Sequence, residues 1–180
     1  MPGEATDGEL AQRAAAGDRD AFAALAERHY DRVYALAWRW SGGRAEAQDI
    51  AQDAMVKMAT AIKGFRNDCA FTTWIYRVAY TTAVDHVRAR RRIVALDPAR
   101  MSALADGAET ETPEDDIMGQ ELWRAVRALP DQQRDAVLLV YAQDLSHGEA
   151  AALMGCSEKT VSWHLHEARK RLKNTLEPAQ

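Results

Sequence analysis

Residues 97–116, DPARMSALADGAETETPEDD, hold few large apolar side chains and many acids, with Pro, Gly and Thr among them. Such a stretch buries too little to offset the entropy of ordering it, so it reads as a flexible linker. That feature excludes one continuous core. The 180 residues must divide into a domain at 1–95 and a smaller one at 117–180, with a linker at 96–116. Both flanks carry helical periodicity and neither shows strand alternation, so the fold class is all-α, two helical domains joined by a flexible acidic linker. The spacing predicts helices near 7–16, 19–40, 44–63 and 72–92 in the first domain. In the second it predicts helices near 115–128, 131–142, 147–154 and 158–173.

Charge follows the same division. The net charge of −4 resolves into −7 over residues 97–121 and +3 over the rest. Bases gather at Arg88, Arg90, Arg91 and Arg92, and again at Lys159, Arg169, Lys170, Arg171 and Lys173. An acidic chain of this kind still suits a nucleic-acid partner. No apolar run approaches the ~20 residues of a membrane span, which argues against membrane insertion. The acidic N-terminus lacks the basic start and apolar segment of a signal peptide. Cys69 and Cys156 lie too far apart in the chain to form a disulfide framework or a four-ligand zinc site. These features point to a reducing cytoplasm.

The segment SHGEAAALMGCSEKTVSWHLHEARKRL, Ser146 to Leu172, is the most informative. Ser146 and Glu149 have capping-box spacing, Ala150 to Ala152 permit close helix approach, Gly155 can end a helix, and Ser157 can cap the next. Two helices about a short Gly-containing turn form a helix-turn-helix. On the second helix Val161, Leu165, Ala168 and Leu172 make one apolar stripe. Lys159, Ser162, Trp163, His166 and Lys170 lie largely opposite, as major-groove docking and phosphate contact require. A helical hairpin with a merely solvated basic face is the bland alternative, and Trp163 opposite the stripe argues against it.

In the N-terminal half, Asp49, Gln52, Asp53 and Lys57 share one helical face, while Ile50, Ala51, Ala54, Met55, Met58 and Ile62 share the other. The acid-led face is either solvated or a contact surface for a basic protein. Further on, Arg77, Thr81, Asp85, Arg88 and Arg92 fall within an arc of about 80°. Phe65, Phe71 and Trp74 flank the loop before that helix. Each ring alone reads as core. Their clustering with FRNDC and an arginine run also allows a surface for single-stranded nucleic acid.

The C-terminal segment resembles two bacterial families. Leu145-Ser146, Gly155, Thr160-Val161 and His164 look like the output domain of LuxR-type regulators. Leu129-Pro130, Arg134, Leu145-Ser146, Thr160-Val161, Ala168-Arg169 and Leu172 look like region 4 of a sigma factor. The segments ALAERHYDRVYALAWRW, AEAQDIAQDAMVKMATAIKGF and FTTWIYRVAYTTAVDHVRARRR, in this order, resemble region 2 of the extracytoplasmic-function (ECF) sigma factors.

That resemblance implies a subunit that directs RNA polymerase to promoters and helps melt them, in a stress or signal response under anti-sigma control. It implies that Asp49, Gln52, Asp53 and Lys57 meet the β′ clamp helices of the core enzyme, whose β flap is a further contact. It implies a −10 surface of Phe65, Arg66, Asn67, Asp68, Phe71, Trp74, Arg77, Thr81, Arg88, Arg91 and Arg92. It also implies a −35 surface of Lys159, Thr160, Ser162, Trp163, His166, Glu167, Arg169 and Lys170. Tyr80-Thr81, where the family often has Arg-Asn, and Ser162-Trp163-His164 and Glu167, where it is more basic, depart from the pattern and bear on promoter sequence.

Other chemistry finds little support. His164 and His166, at i and i+2, point to different sides of a helix, and with Cys156 they lack a further ligand at useful spacing, so no metal is expected. No phosphate loop, nucleophile elbow or acid/base constellation is present, so neither a cofactor nor a catalytic role is expected.

Overall fold

A computed structural model of the chain describes residues 5–96 and 117–177. The chain divides into two compact units, Met1–Gly107 and Ala108–Gln180. The expected linker falls, from residue 97 onward, outside the described residues. Every described element is helical, as the periodicity predicts.

The first unit holds α1 (Asp7–Ala15), α2 (Arg19–Ser41), α3 (Arg44–Ala61), a 3-10 turn at Ile62–Gly64 and α4 (Phe71–Leu96). Thr6 and Glu9 open α1 with a reciprocal capping box, which satisfies amides that the first turn leaves orphaned. Asp18 opens α2 by accepting from the amides of Asp20 and Ala21, both at 3.0 Å. Gly42, at φ 77°, ends it in the left-handed conformation that side chains resist.

Leu25, Val33 and Leu36 of α2, Ile50, Ala51, Ala54 and Met58 of α3, and Ile75 and Ala79 of α4 are all at most 1% exposed. The alanines let α2 and α3 pack closely, and each buried large aliphatic stabilises the unit by about 1.5–3 kcal/mol. α2, α3 and α4 pack pairwise, and α1 lies chiefly against α2. Tyr80 is buried with its ring centroid 5.4 Å from that of Trp40.

The second unit holds α5 (Ile117–Arg127), α6 (Asp131–Val137), α7 (His147–Met154) and α8 (Glu158–Leu176). The helix expected over 131–142 is not one α-helix. It widens into a π-helical turn at Leu138–Ala142, accompanied by full burial of the consecutive Leu138 and Leu139. Arg134 is buried too, with Asp135 at 3.3 Å and Asp131 at 3.5 Å, so its charge is paired rather than stranded.

The caps read from the sequence form the turn that follows. Ser146 and Glu149 make a capping box, Gly155 adopts φ 67°, and Ser157 accepts from the Thr160 amide at 3.2 Å. α8 packs on α5, α6 and α7 and buries Val161, Leu165 and Ala168, whereas Leu172 is only half-buried. Among the described residues no helix is long and apolar enough to cross a membrane.

Candidate functional site

On α3, Asp49, Gln52, Asp53 and Lys57 are all exposed on one face, yet they are not equivalent. Asp53 Oδ2 lies 2.7 Å from His86 Nε2, and Lys57 Nζ donates to Asp85 Oδ2 at 3.1 Å. Glu46, also on α3, pairs with Arg90. Three α4 side chains therefore brace one edge of the α3 face. Asp49 and Gln52 carry no ion pair or side-chain hydrogen bond among the described residues. Val56, 63% exposed, follows them at the next helical turn. Sequence reading missed it, although an apolar residue seven positions beyond Asp49, within an acid-led face, is a legible anomaly.

The loop between α3 and α4 holds its rings and its polar residues at different depths. Phe65 and Phe71 are 8% and 3% exposed. With the half-buried Trp74 they form a cluster of ring centroids 5.5 to 5.7 Å apart. Aromatic rings gain more from burial against one another than from standing in water, so both phenylalanines form the floor of the loop. Arg66, Asn67 and Asp68 are exposed above that floor. Asn67 turns the chain at φ 58°, a left-handed conformation that Asn tolerates better than most residues.

Along α4, Arg77, Thr81, Arg88 and Arg92 are exposed as expected, and the Arg91 side chain lies outside the described residues. Thr81 Oγ1 lies 3.0 Å from the carbonyl oxygens of both Arg77 and Val78. Its proton is directed to the backbone, and only its lone pairs face outward. Arg90, in the same basic run, turns to Glu46.

On α8, Lys159, Ser162, Trp163, His166, Arg169 and Lys170 are exposed, and Thr160 and Glu167 are partly so. Trp163 is 56% exposed with its ring centroid 4.9 Å from that of His164. The Thr160 hydroxyl is 2.9 Å from the capping hydroxyl of Ser157, which ties it to the helix start. Arg169 donates to the Tyr141 hydroxyl and lies over the Tyr141 ring, 5.5 Å from its centroid. Glu167 forms no ion pair with Lys170 or Arg171. Of two further residues here, His147 escaped sequence reading and His164 was read only as a family match and against a metal site. His147 Nδ1 is 3.0 Å from Ser162 Oγ. His164 has a buried Nδ1 without a hydrogen-bond partner, and burial holds its pKa below the ordinary value.

A second missed cluster lies on the first unit. Asp7 of α1 accepts from Arg28 and meets the buried His29, both on α2. Burial raises the Asp7 pKa, but the Arg28 hydrogen bond and the charges of His29 and Arg28 outweigh it, so the carboxyl sits below its ordinary value. Among the described residues no three His, Cys, Asp or Glu side chains gather as metal ligands would.

Comparison with known proteins matches both units. A family model described as Sigma-70 region 2 matches residues 25–93, and one described as Sigma-70, region 4 matches residues 119–172. The ECF RNA polymerase sigma-E factor of Escherichia coli (strain K12) is 31% identical, covering 99% of this chain and 98% of that protein. The RNA polymerase sigma-H factor of Pseudomonas aeruginosa is 32% identical, covering 96% and 94%.

Among solved structures, CnrH in complex with the cytosolic domain of CnrY aligns with a TM-score of 0.67 at 28% identity, covering 97% of this chain and 99% of that one. The sigma factor RpoE of Bartonella quintana, in complex with the anti-sigma factor NepR, shares the fold with a TM-score of 0.71 at 23% identity, over 88% and 98%. Relatives that span both halves leave no room for a LuxR-type regulator, whose resemblance is confined to the helix-turn-helix. The chain belongs to the ECF sigma factors of the sigma-70 family, which act in transcription initiation and are not enzymes.

Proposed function

We propose that this sigma factor holds core RNA polymerase through α3 and promoter DNA through two separate surfaces. Asp49, Gln52 and Val56 dock on the β′ clamp helices, while Asp53 and Lys57 form the braced edge of the same face. The observation that carries this reading is Val56, 63% exposed beside those acids. A merely solvated face gains nothing from an exposed valine, whereas a protein interface needs an apolar centre within a polar rim. The test is a binding titration of core polymerase with the Asp49→Lys, Asp53→Lys double variant. Affinity should fall while helicity is retained, and unchanged affinity would refute the docking face.

The 66–71 loop and α4 take the melted −10 strand, with Arg66, Asn67, Asp68 and Trp74 at the loop. Arg77, Thr81, Arg88, Arg91 and Arg92 follow along the helix. Phe65 and Phe71 support the loop from beneath. α8 reads the −35 element through Lys159, Ser162, Trp163, His166, Glu167 and Lys170, with Thr160 and Arg169 fixed at its edges. The domain at 117–180 also meets the β flap. The protein works in the cytoplasm, in a signal or stress response.

An anti-sigma factor that covers Val56 or Trp163 would complete the regulation. That CnrH was solved in complex with the cytosolic domain of another protein, CnrY, supports a protein partner of this kind. Repeated co-purification from the native host of polymerase subunits alone would count against it.

A further inference from the structure

Helix α1 belongs to neither interface, yet two contacts tie it to the loop between α3 and α4. The first runs through a buried histidine. Asp7 Oδ1 accepts from Arg28 Nη1 at 2.6 Å, and its Oδ2 lies 2.7 Å from Nε2 of His29. Arg28 also donates to the Ala5 carbonyl at 3.1 Å, which fastens the start of α1 a second time. His29 is 2% exposed, and its ring centroid is 5.2 Å from that of Phe71. Phe71 packs on Phe65 and Trp74, at 5.7 and 5.6 Å. One carboxylate on α1 thus fixes the imidazole on which the aromatic floor of the loop rests.

The second contact is steric. A β-carbon placed at Gly8 would lie 3.5 Å from Asn67 Oδ1 and 4.0 Å from its Nδ2. A methyl group makes ordinary van der Waals contact at that distance, and a longer side chain must share that space with the Asn67 amide. Gly8 thus faces the side chain of the residue that turns the loop, Asn67 at φ 58°.

We propose that Asp7 and Gly8 are positioning residues for promoter melting, and that α1 is a buttress setting the height and turn of the 65–71 loop. The proposal rests on the reading that this loop takes the melted −10 strand. Asp7 acts through His29 on the floor, and Gly8 acts directly on the Asn67 turn. Neither touches DNA. Displacing Asn67 shifts Arg66 and Asp68 with it, so the loop loses its fit to the unpaired strand while the α3 face and the second unit are untouched.

The test uses holoenzyme assembled from the full chain and core polymerase on a duplex promoter. It reads permanganate reactivity of −10 thymines, core affinity, and binding of the −35 element. Trp74→Ala tests the underlying reading, and Gly8→Leu and Asp7→Ala test the buttress. Both Trp74→Ala and Gly8→Leu should lower melting by about tenfold, the scale of one good base contact, with core and −35 affinities retained. Gly8→Ala should do less than Gly8→Leu. In an Asn67→Gly background, where the obstructing side chain is gone, Gly8→Leu should have a smaller effect.

Normal melting by Gly8→Leu beside a defective Trp74→Ala overturns the buttress and spares the loop reading. Undiminished melting by Trp74→Ala overturns both. A parallel fall in melting, core affinity and −35 binding in both α1 variants would mark α1 as merely structural and likewise overturn the proposal.

Discussion

The two units carry charge in opposite ways. On α3 the acids are partly engaged before any partner arrives: Asp53 with His86 at 2.7 Å, Lys57 with Asp85 at 3.1 Å, and Glu46 with Arg90. On α8 the outward groups Lys159, Glu167 and Lys170 are not in ion pairs among the described residues, and Trp163 stands 56% exposed. A braced face has its geometry set in advance and loses little side-chain entropy on docking against a rigid protein surface. A face whose charges are unpaired keeps those rotamers free to follow base edges and phosphates, although Thr160, Ser162 and Arg169 are held by hydrogen bonds. The difference suits one constant partner on the first unit and a sequence to be read on the second.

The largest expected effect would break the comparison at its braced end. Reversing Asp49 and Asp53 to Lys should cost core binding about 2–5 kcal/mol, as loss of docked charge pairs does. The DNA preference of the second unit should stay as it was. A shifted −35 preference in that variant would mean that the two faces are not separate.

At the unbraced end, Glu167→Ala should relax discrimination at one −35 position by about 1–3 kcal/mol, because a carboxylate can accept from a cytosine amino group. Lys170→Ala should weaken binding to all sequences alike and flatten its salt dependence. Selection on randomised −35 sequences separates the two. An unaltered preferred sequence with Glu167→Ala defeats the base-reading role.

A smaller effect probes the bracing itself. The Asp53–His86 pair is solvent-accessible, with the Asp53 side chain 58% exposed. His86→Ala should therefore lower the stability of the first unit by only about 0.2–1 kcal/mol. Core affinity should stay within about twofold of wild type. A large loss would make His86 a contact residue and not a brace.

The smallest effects are expected in the response to acid, and they share a sign but differ between units in window. His164 has a folded pKa below its ordinary 6.5 because partial burial desolvates its ring. The unfolded chain then binds a proton that the folded unit excludes, so the second unit loses stability as pH falls below 6.5 toward the folded value. Asp7 has a folded pKa below 3.8. Its contribution is complete above 3.8 and is lost only as pH falls below that toward its folded value. Thermal melts between about pH 8 and 5 should show a decline that His164→Gln reduces. Identical profiles for the two proteins would contradict this.

What could be read from the sequence follows the distance between interacting residues. The helix-turn-helix was legible because Ser146, Glu149, Gly155 and Ser157 each act within about one helical turn. The all-α fold followed from periodicity over whole helices. The braces were not legible: Asp53 and His86 are 33 positions apart and Asp7 and His29 are 22, so no local pattern joins them. Phe65 and Phe71 were ambiguous for the same reason, since only the tertiary packing decides whether a ring beside a basic helix faces inward. The π-helical turn at Leu138–Ala142 was hidden because its residues also satisfy an α-helical pattern.

The most direct test of the central claim, one sigma factor with a polymerase face on the first unit and a DNA-reading face on each, is run-off transcription with purified core polymerase on a genomic promoter library. The account predicts transcripts from a defined set of promoters that share one pair of −10 and −35 elements, and their loss with the Asp49→Lys, Asp53→Lys variant. Promoter-specific transcription that survives that double reversal would contradict it.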